Sequence, residues 1–150
     1  MKDCACPQGL IDRYASRLSG PLIDRIDLTV EVGRVAVEEL EKPRGPATTP
    51  DMRAAVTRAR ARQRSRYRRS QTWLNAHAPD ALLREVAAPD EAGRALLEKA
   101  VDRFALTPRG YMRVLRVART IADLADDETL PTAALAEALQ FRIAETGPLP

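Results

Sequence analysis

The stretch "TPRGYMRVLRVARTIADLA", Thr107 to Ala125, constrains the fold more than any other part of the chain. Tyr111, Val114, Leu115, Ala118, Ile121, Ala122 and Ala125 recur at i, i+3, i+4, i+7 spacing, which puts them on one face of an amphipathic helix. Thr107 followed by Pro108 supplies a cap and a proline in the first turn. Such a helix cannot bury its stripe alone, so other helices must cover it. The flanking sequence offers them. Short helices are predicted at about 79–86 and 90–103, the second started by Pro89 and Asp90 with Leu96, Leu97 and Ala100 facing inward. A last helix begins near Pro131 and carries Leu135, Ala138, Leu139 and Ile143. Upstream, Thr49 as N-cap and Pro50 repeat the start signal, Asp51 favours the helix dipole, and Met52, Ala55, Val56 and Ala59 open an apolar stripe.

The first fifty residues read differently. "LIDRYASRL", residues 10–18, spaces Leu10, Ile11, Tyr14 and Leu18 along a short helix that "SGP" stops. Leu28, Val30 and Val32 alternate, so residues 28–35 are expected to form a half-buried strand. "VEELEKPRGPATTP" then forms a linker and marks the best internal boundary, near 42–50. No repeat at a solenoid period is visible.

A chain of 150 residues suits one domain, or a small domain with an appended piece. Aromatic residues are only 4%, so most of the core must be Leu, Val, Ile and Ala. Charge is uneven: residues 1–70 hold 15 Lys/Arg against 9 Asp/Glu, and residues 71–150 hold 9 against 12. A basic first half suits an anionic partner without saying which. No apolar run approaches the roughly 20 residues that cross a bilayer, and no signal peptide is visible, so the expectation is a cytoplasmic protein without a membrane partner.

Chemistry-bearing motifs are few. There is no G-x-x-x-x-G-K-[ST] loop, no Ser-x-x-Lys or G-x-S-x-G element, and no Cys/His pair at nucleophile spacing, so self-contained catalysis is not expected. Cys4 and Cys6 form a C-x-C pair that supplies at most half of a four-ligand zinc site, and His77 is expected in a loop as an exposed non-ligand. Asp126 and Asp127 read as solvent-facing residues of a helix-ending turn. Arginine is the prominent residue. Eight arginines fall between Arg53 and Arg69; they make either a solvated helix face or a surface for nucleic-acid phosphates, with Arg60, Arg64 and Arg68 as the candidates. Tyr67 and Trp73 are a thin basis for base stacking. Arg25, between "GPLI" and "IDLTVEV", is either a salt-bridge partner of Asp24 or Asp27 or an arginine aimed at an anion, such as one carried by another subunit. Arg109 lies at a helix start, where free backbone N–H groups favour anions, with Arg113 and Arg116 on the flank of the same helix.

Taken together, "CAC" with "IDRYASRLSGPLIDRIDLTVEV", then "AVTRARARQRSRY", then "FALTPRGYMRVLRVARTIADL", resemble the magnesium-chelatase-like AAA+ ATPases of the competence-related ComM/YifB type, over nearly the whole chain. The resemblance implies a mainly α fold: a short remnant of an α/β P-loop ATPase core at 1–45, then a helical C-terminal lid domain at 48–145. It implies that Arg25 is an arginine finger acting on a neighbouring subunit, that Arg109 is the second-sensor arginine, and that Arg113 and Arg116 assist it. Cys4 and Cys6 resemble the second half of a four-cysteine zinc cluster. The implied function is the C-terminal part of an ATP- and Mg²⁺-dependent DNA motor assembled as a homo-oligomeric ring, with this chain inactive by itself. The alternatives are a non-enzymatic helical DNA-binding module using residues 53–69 and a metal-chelatase-like assembly subunit.

Overall fold

The computed structural model describes residues 6–17, 25–30, 32, 33, 35, 41 and 48–143. Among these the chain forms six α-helices: α1 (Gln8–Ala15), α2 (Thr49–Arg66), α3 (Asp80–Val86), α4 (Glu91–Phe104), α5 (Pro108–Leu124) and α6 (Thr132–Ile143). A single 3₁₀ turn, Asn75–His77, lies between α2 and α3.

Helix α5 is the axis of the bundle. It packs against α6, α2, α3 and the 3₁₀ turn, while α4 packs against α6. Its predicted stripe is largely the buried one: Val114, Leu115, Ala118 and Ala122 are inaccessible, Tyr111 and Ile121 are half-buried, and Met112 joins them. Only Ala125, at the end, is exposed. Leu83 of α3, Leu97 and Ala100 of α4, and Leu135, Ala138 and Leu139 of α6 complete the core. Each large aliphatic side chain buried here contributes roughly 1.5–3 kcal/mol. Thr107 caps α5 by accepting from the Gly110 N–H at 2.9 Å. Asp90 caps α4 by accepting from the Gly93 N–H at 2.7 Å, and the Thr132 hydroxyl donates to the same carboxylate at 3.1 Å, fastening α4 to α6. Gly93 is required at this crossing, because a Cβ there would stand 2.7 Å from Leu135 Cδ1.

Helix α2 starts one residue earlier than its sequence signal suggested. Thr48, rather than Thr49, is the N-cap, and Pro50 stands at the second helical position. The Thr48 N–H donates to Asp51 Oδ2 at 3.0 Å, and the Asp51 N–H donates back to the Thr48 hydroxyl, forming a capping box. Of the predicted α2 stripe, only Ala59 is buried and Ala55 half-buried; Met52 and Val56 stay exposed.

The α/β remnant of a P-loop core expected over 1–45 does not appear among the described residues, which contain no β-strand. Leu28, Val30 and Val32, predicted to alternate in a half-buried strand, are all exposed, as is Val35 at its end. A strand needs neighbours that satisfy its backbone and cover one face. What this segment meets instead is the end of α6, where the Thr29 N–H donates to the Phe141 carbonyl at 3.1 Å. The helix predicted over 10–18 forms in part, as α1 over Gln8–Ala15; its Leu10 and Tyr14 are exposed, and Leu18 lies outside the described residues. Residues 42–47 of the predicted linker lie outside the described residues.

Candidate anion site at the start of helix α5

The first turn of α5 opens onto a cleft of ≈ 490 Å³. Arg109, Arg113 and Arg116 of α5 and Arg84 of α3 line it, against two carboxylates, Asp27 and Asp80. The periodicity of α5 explains the arrangement. Residues 109, 113 and 116 follow one another at i, i+4 and i+7, beside the apolar stripe, so the core that fixes the helix also fixes their direction. The positive end of the α5 dipole faces the same way, although Pro108 has no N–H and those of Gly110 and Tyr111 are taken by Thr107.

The four arginines are held differently. Arg116 is fixed as a wall of the cleft: one guanidinium nitrogen donates to Asp80 Oδ1 at 2.7 Å and to the Ala78 carbonyl at 3.1 Å. Arg113 pairs with Asp27, from the segment that also carries Arg25. The Nε atoms of Arg113 and Arg116 are buried without a partner. Arg84 lies over the Tyr111 ring, 5.9 Å from its centroid. Arg109 is exposed at the mouth and has no hydrogen-bond or ion-pair partner among the described residues. Fixed guanidinium walls around an open, uncommitted arginine suit a multiply charged phosphate group. The two carboxylates are already engaged by arginine, so the donor set fits phosphate oxygens rather than a bare Mg²⁺ ion.

Three other predicted sites can now be placed. Arg25 is exposed, and Asp27, one of its two suggested partners, is taken by Arg113; Asp24 lies outside the described residues. Arg60 and Arg64 sit on the solvent side of α2, and Arg68 follows just past its end, all exposed and without ion-pair partners among the described residues. Cys6 is exposed and Cys4 lies outside the described residues, which contain no cluster of three or more His, Cys, Asp or Glu able to hold a metal. His77 is exposed in its 3₁₀ turn, and Tyr67 is buried and so offers no stacking surface.

A charged network under α5 went unread in the sequence. Asp123 is fully buried, with Arg66 of α2 donating to its Oδ2 at 2.8 Å and Arg119 approaching at 3.2 Å. Asn75 donates to the same oxygen at 2.9 Å and accepts from the Tyr67 hydroxyl at 2.9 Å. Burial alone would push the Asp123 carboxyl up, but the hydrogen bonds from Arg66 and Asn75 outweigh it and hold it below the usual carboxylate range. Burial pulls the Arg119 guanidinium down, and the group donates to the carbonyls of Asp127, Glu128 and Thr129 at 2.6–3.0 Å. The signal was available: Arg119 and Asp123 stand at i, i+4 inside the apolar stripe, where a charge needs an opposite charge.

Fold and cleft define a helical domain with an arginine-lined cleft, and comparison with known proteins gives it a family. Residues 46–142 match the magnesium chelatase, subunit ChlI C-terminal profile, and residues 1–40 match that of magnesium chelatase, subunit ChlI. The chain belongs to the magnesium-chelatase-like AAA+ ATPase family, of the ComM/YifB type. It is 37% identical over 141 residues to an uncharacterized protein of Mycobacterium tuberculosis, covering 94% of this chain and 28% of that protein. It is 36% identical over 138 residues to the competence protein ComM of Haemophilus influenzae (91% of this chain, 26% of the relative). With the uncharacterized protein YifB of Escherichia coli it shares 32% over 131 residues (87% and 25%). The chain thus spans about a quarter of the length of these relatives.

Proposed function

We propose that this chain is the nucleotide-sensing helical lid of an ATP-driven, oligomeric AAA+ assembly, and that the α5 cleft is where it reads phosphate. The observation that carries this reading is Arg109, uncommitted at the mouth of a cleft walled by Arg84, Arg113 and Arg116. Arg109 contacts the nucleotide phosphates, Arg113 adds a second guanidinium, and Arg116 holds the wall through Asp80 and Ala78. The sequence carries no phosphate-binding loop, so ATP turnover belongs to the longer assembly, where Mg²⁺ accompanies the nucleotide and Arg25 reaches the phosphate held by the next subunit. Residues 48–145 act as the lid and residues 1–45 connect it to the remainder. Cys4 and Cys6 contribute to a zinc site only if other ligands join them.

Work on DNA is the finer reading, supported by the relative named competence protein ComM and by the outward arginines of α2. A non-enzymatic nucleic-acid-binding role for α2 rests on those arginines alone. The test is ATP turnover by the full-length protein at matched oligomeric state. Arg109→Ala and Arg25→Ala should each remove most turnover while leaving assembly intact. Normal turnover in Arg109→Ala would sink the sensing role of the cleft.

A further inference from the structure

We propose that Asp27 is an internal occupant of the α5 cleft: its carboxylate competes with phosphate for Arg113, so that phosphate arrival loosens the segment that carries Arg25. This rests on the reading of the cleft as a phosphate site. Contacts between described residues pin residues 26–29 to the helices, three polar bonds among them. Asp27 pairs with Arg113, the Ile26 carbonyl accepts from Arg142 at 2.9 Å, and the Thr29 N–H donates to the Phe141 carbonyl at 3.1 Å. The last two go to α6 and make no direct contact with an anion in the cleft, so they respond to it only through the loosening of Asp27. Asp27 alone of the three stands inside it.

A carboxylate and a phosphate present a guanidinium with the same kind of acceptor, so the two contend for one group. The pair is lopsided in a way that favours exchange. Arg113 is 17% exposed and anchored on α5, whereas Asp27 is 52% exposed on a segment outside any helix. Arg113 engages Asp27 through one of its two terminal nitrogens, Nη1. The other carboxylate of the cleft is not equivalent: Asp80 belongs to the start of α3, and its arginine also holds the Ala78 carbonyl. A polyphosphate brings more charge than one carboxylate and takes Arg113 from it. Asp27 is then released to solvent, while the segment keeps its tethers to α6. Arg25 lies two residues from Asp27, so the state of the cleft is passed to the residue proposed to act on the next subunit.

The test uses inorganic tripolyphosphate as probe and this 150-residue chain, with calorimetric affinity and amide hydrogen exchange at Thr29 as readouts. Asp27→Asn should bind tripolyphosphate roughly two- to fivefold more tightly than wild type, the size expected from removing one partly exposed ion pair. Asp27→Glu, which keeps the charge, should behave like wild type. Saturating tripolyphosphate should speed Thr29 exchange in wild type, and the exchange in Asp27→Asn should be fast already and unresponsive. Equal or weaker binding by Asp27→Asn, or Thr29 exchange that ignores tripolyphosphate in wild type, overturns the latch and leaves the cleft standing. Tripolyphosphate binding that is the same in wild type and Arg109→Ala overturns the cleft itself, and the latch with it.

Discussion

Helices α2 and α5 both carry arginine at short intervals, but they surround it differently. On α5 the flanking arginines converge: Arg113 and Arg116 reach carboxylates from other segments, Arg119 is sunk among carbonyls, and Arg109 alone is uncommitted. On α2 they diverge. Arg62 and Arg66 turn inward, to Asp126 and Asp123, and Arg53, Arg60 and Arg64 point to solvent with no such partner among the described residues. The difference follows from burial. Helix α5 lies at the centre and brings neighbours to every flank, whereas α2 has only one packed side, with Ala59 and Gln63 as its buried residues. Arginine count therefore says little by itself. The shape of a site comes from which neighbours the core brings up beside each guanidinium.

The largest effect should come from breaking what joins the two helices. Asp123→Ala leaves Arg119 and Arg66 without their carboxylate and should destabilise the fold by about 3–5 kcal/mol in chemical denaturation. Arg60→Ala should stay within about 0.5 kcal/mol of wild type. The same carboxylate sets an acid limit. Its folded value is depressed, so its contribution is complete above the ordinary carboxylate value of about 3.9 and is lost as pH falls through the lower folded value. Stability measured from pH 5 downward should therefore fall more steeply in wild type than in Asp123→Asn.

Next in size is the separation of the two arginine sets by ligand. Arg109→Ala should weaken tripolyphosphate binding roughly tenfold or more without changing thermal stability, the scale of a lost hydrogen bond to a charged group. Replacing Arg60, Arg64 and Arg68 together with Gln should leave that binding unchanged. If α2 binds nucleic acid, the same triple variant should lower the salt slope of a single-stranded DNA titration by about 2. A wild-type slope near zero would return these arginines to a solvated face. The smallest effect is expected for Arg62→Gln, whose partner Asp126 is exposed; its denaturation midpoint should be indistinguishable from wild type.

The sequence made the helices legible because their stripes and caps are local signals. The Thr107–Pro108 start, the Asp90 cap and the α5 stripe all follow from spacing along one helix. The one-residue shift at Thr48 arose because two adjacent threonines offer the same chemistry, and only Asp51, three residues beyond Thr48, selects between them. The strand at 28–35 misled because alternation describes a face without supplying the sheet that would cover it. Within the cleft, Arg109, Arg113 and Arg116 were readable as one helix flank. Arg84 and Asp27 were not, because each comes from another segment and only the packing of α5 against α3, and of residues 26–29 against the helices, brings them in.

The most direct test of the central claim is a tripolyphosphate titration of the ¹⁵N-labelled chain, following every backbone amide. The account predicts saturable shifts centred on Arg109 to Arg113, absent in Arg109→Ala, with little change at Arg53, Arg60 and Arg64. Shifts centred on α2 instead, or changes that grow without saturating at the start of α5, would contradict it.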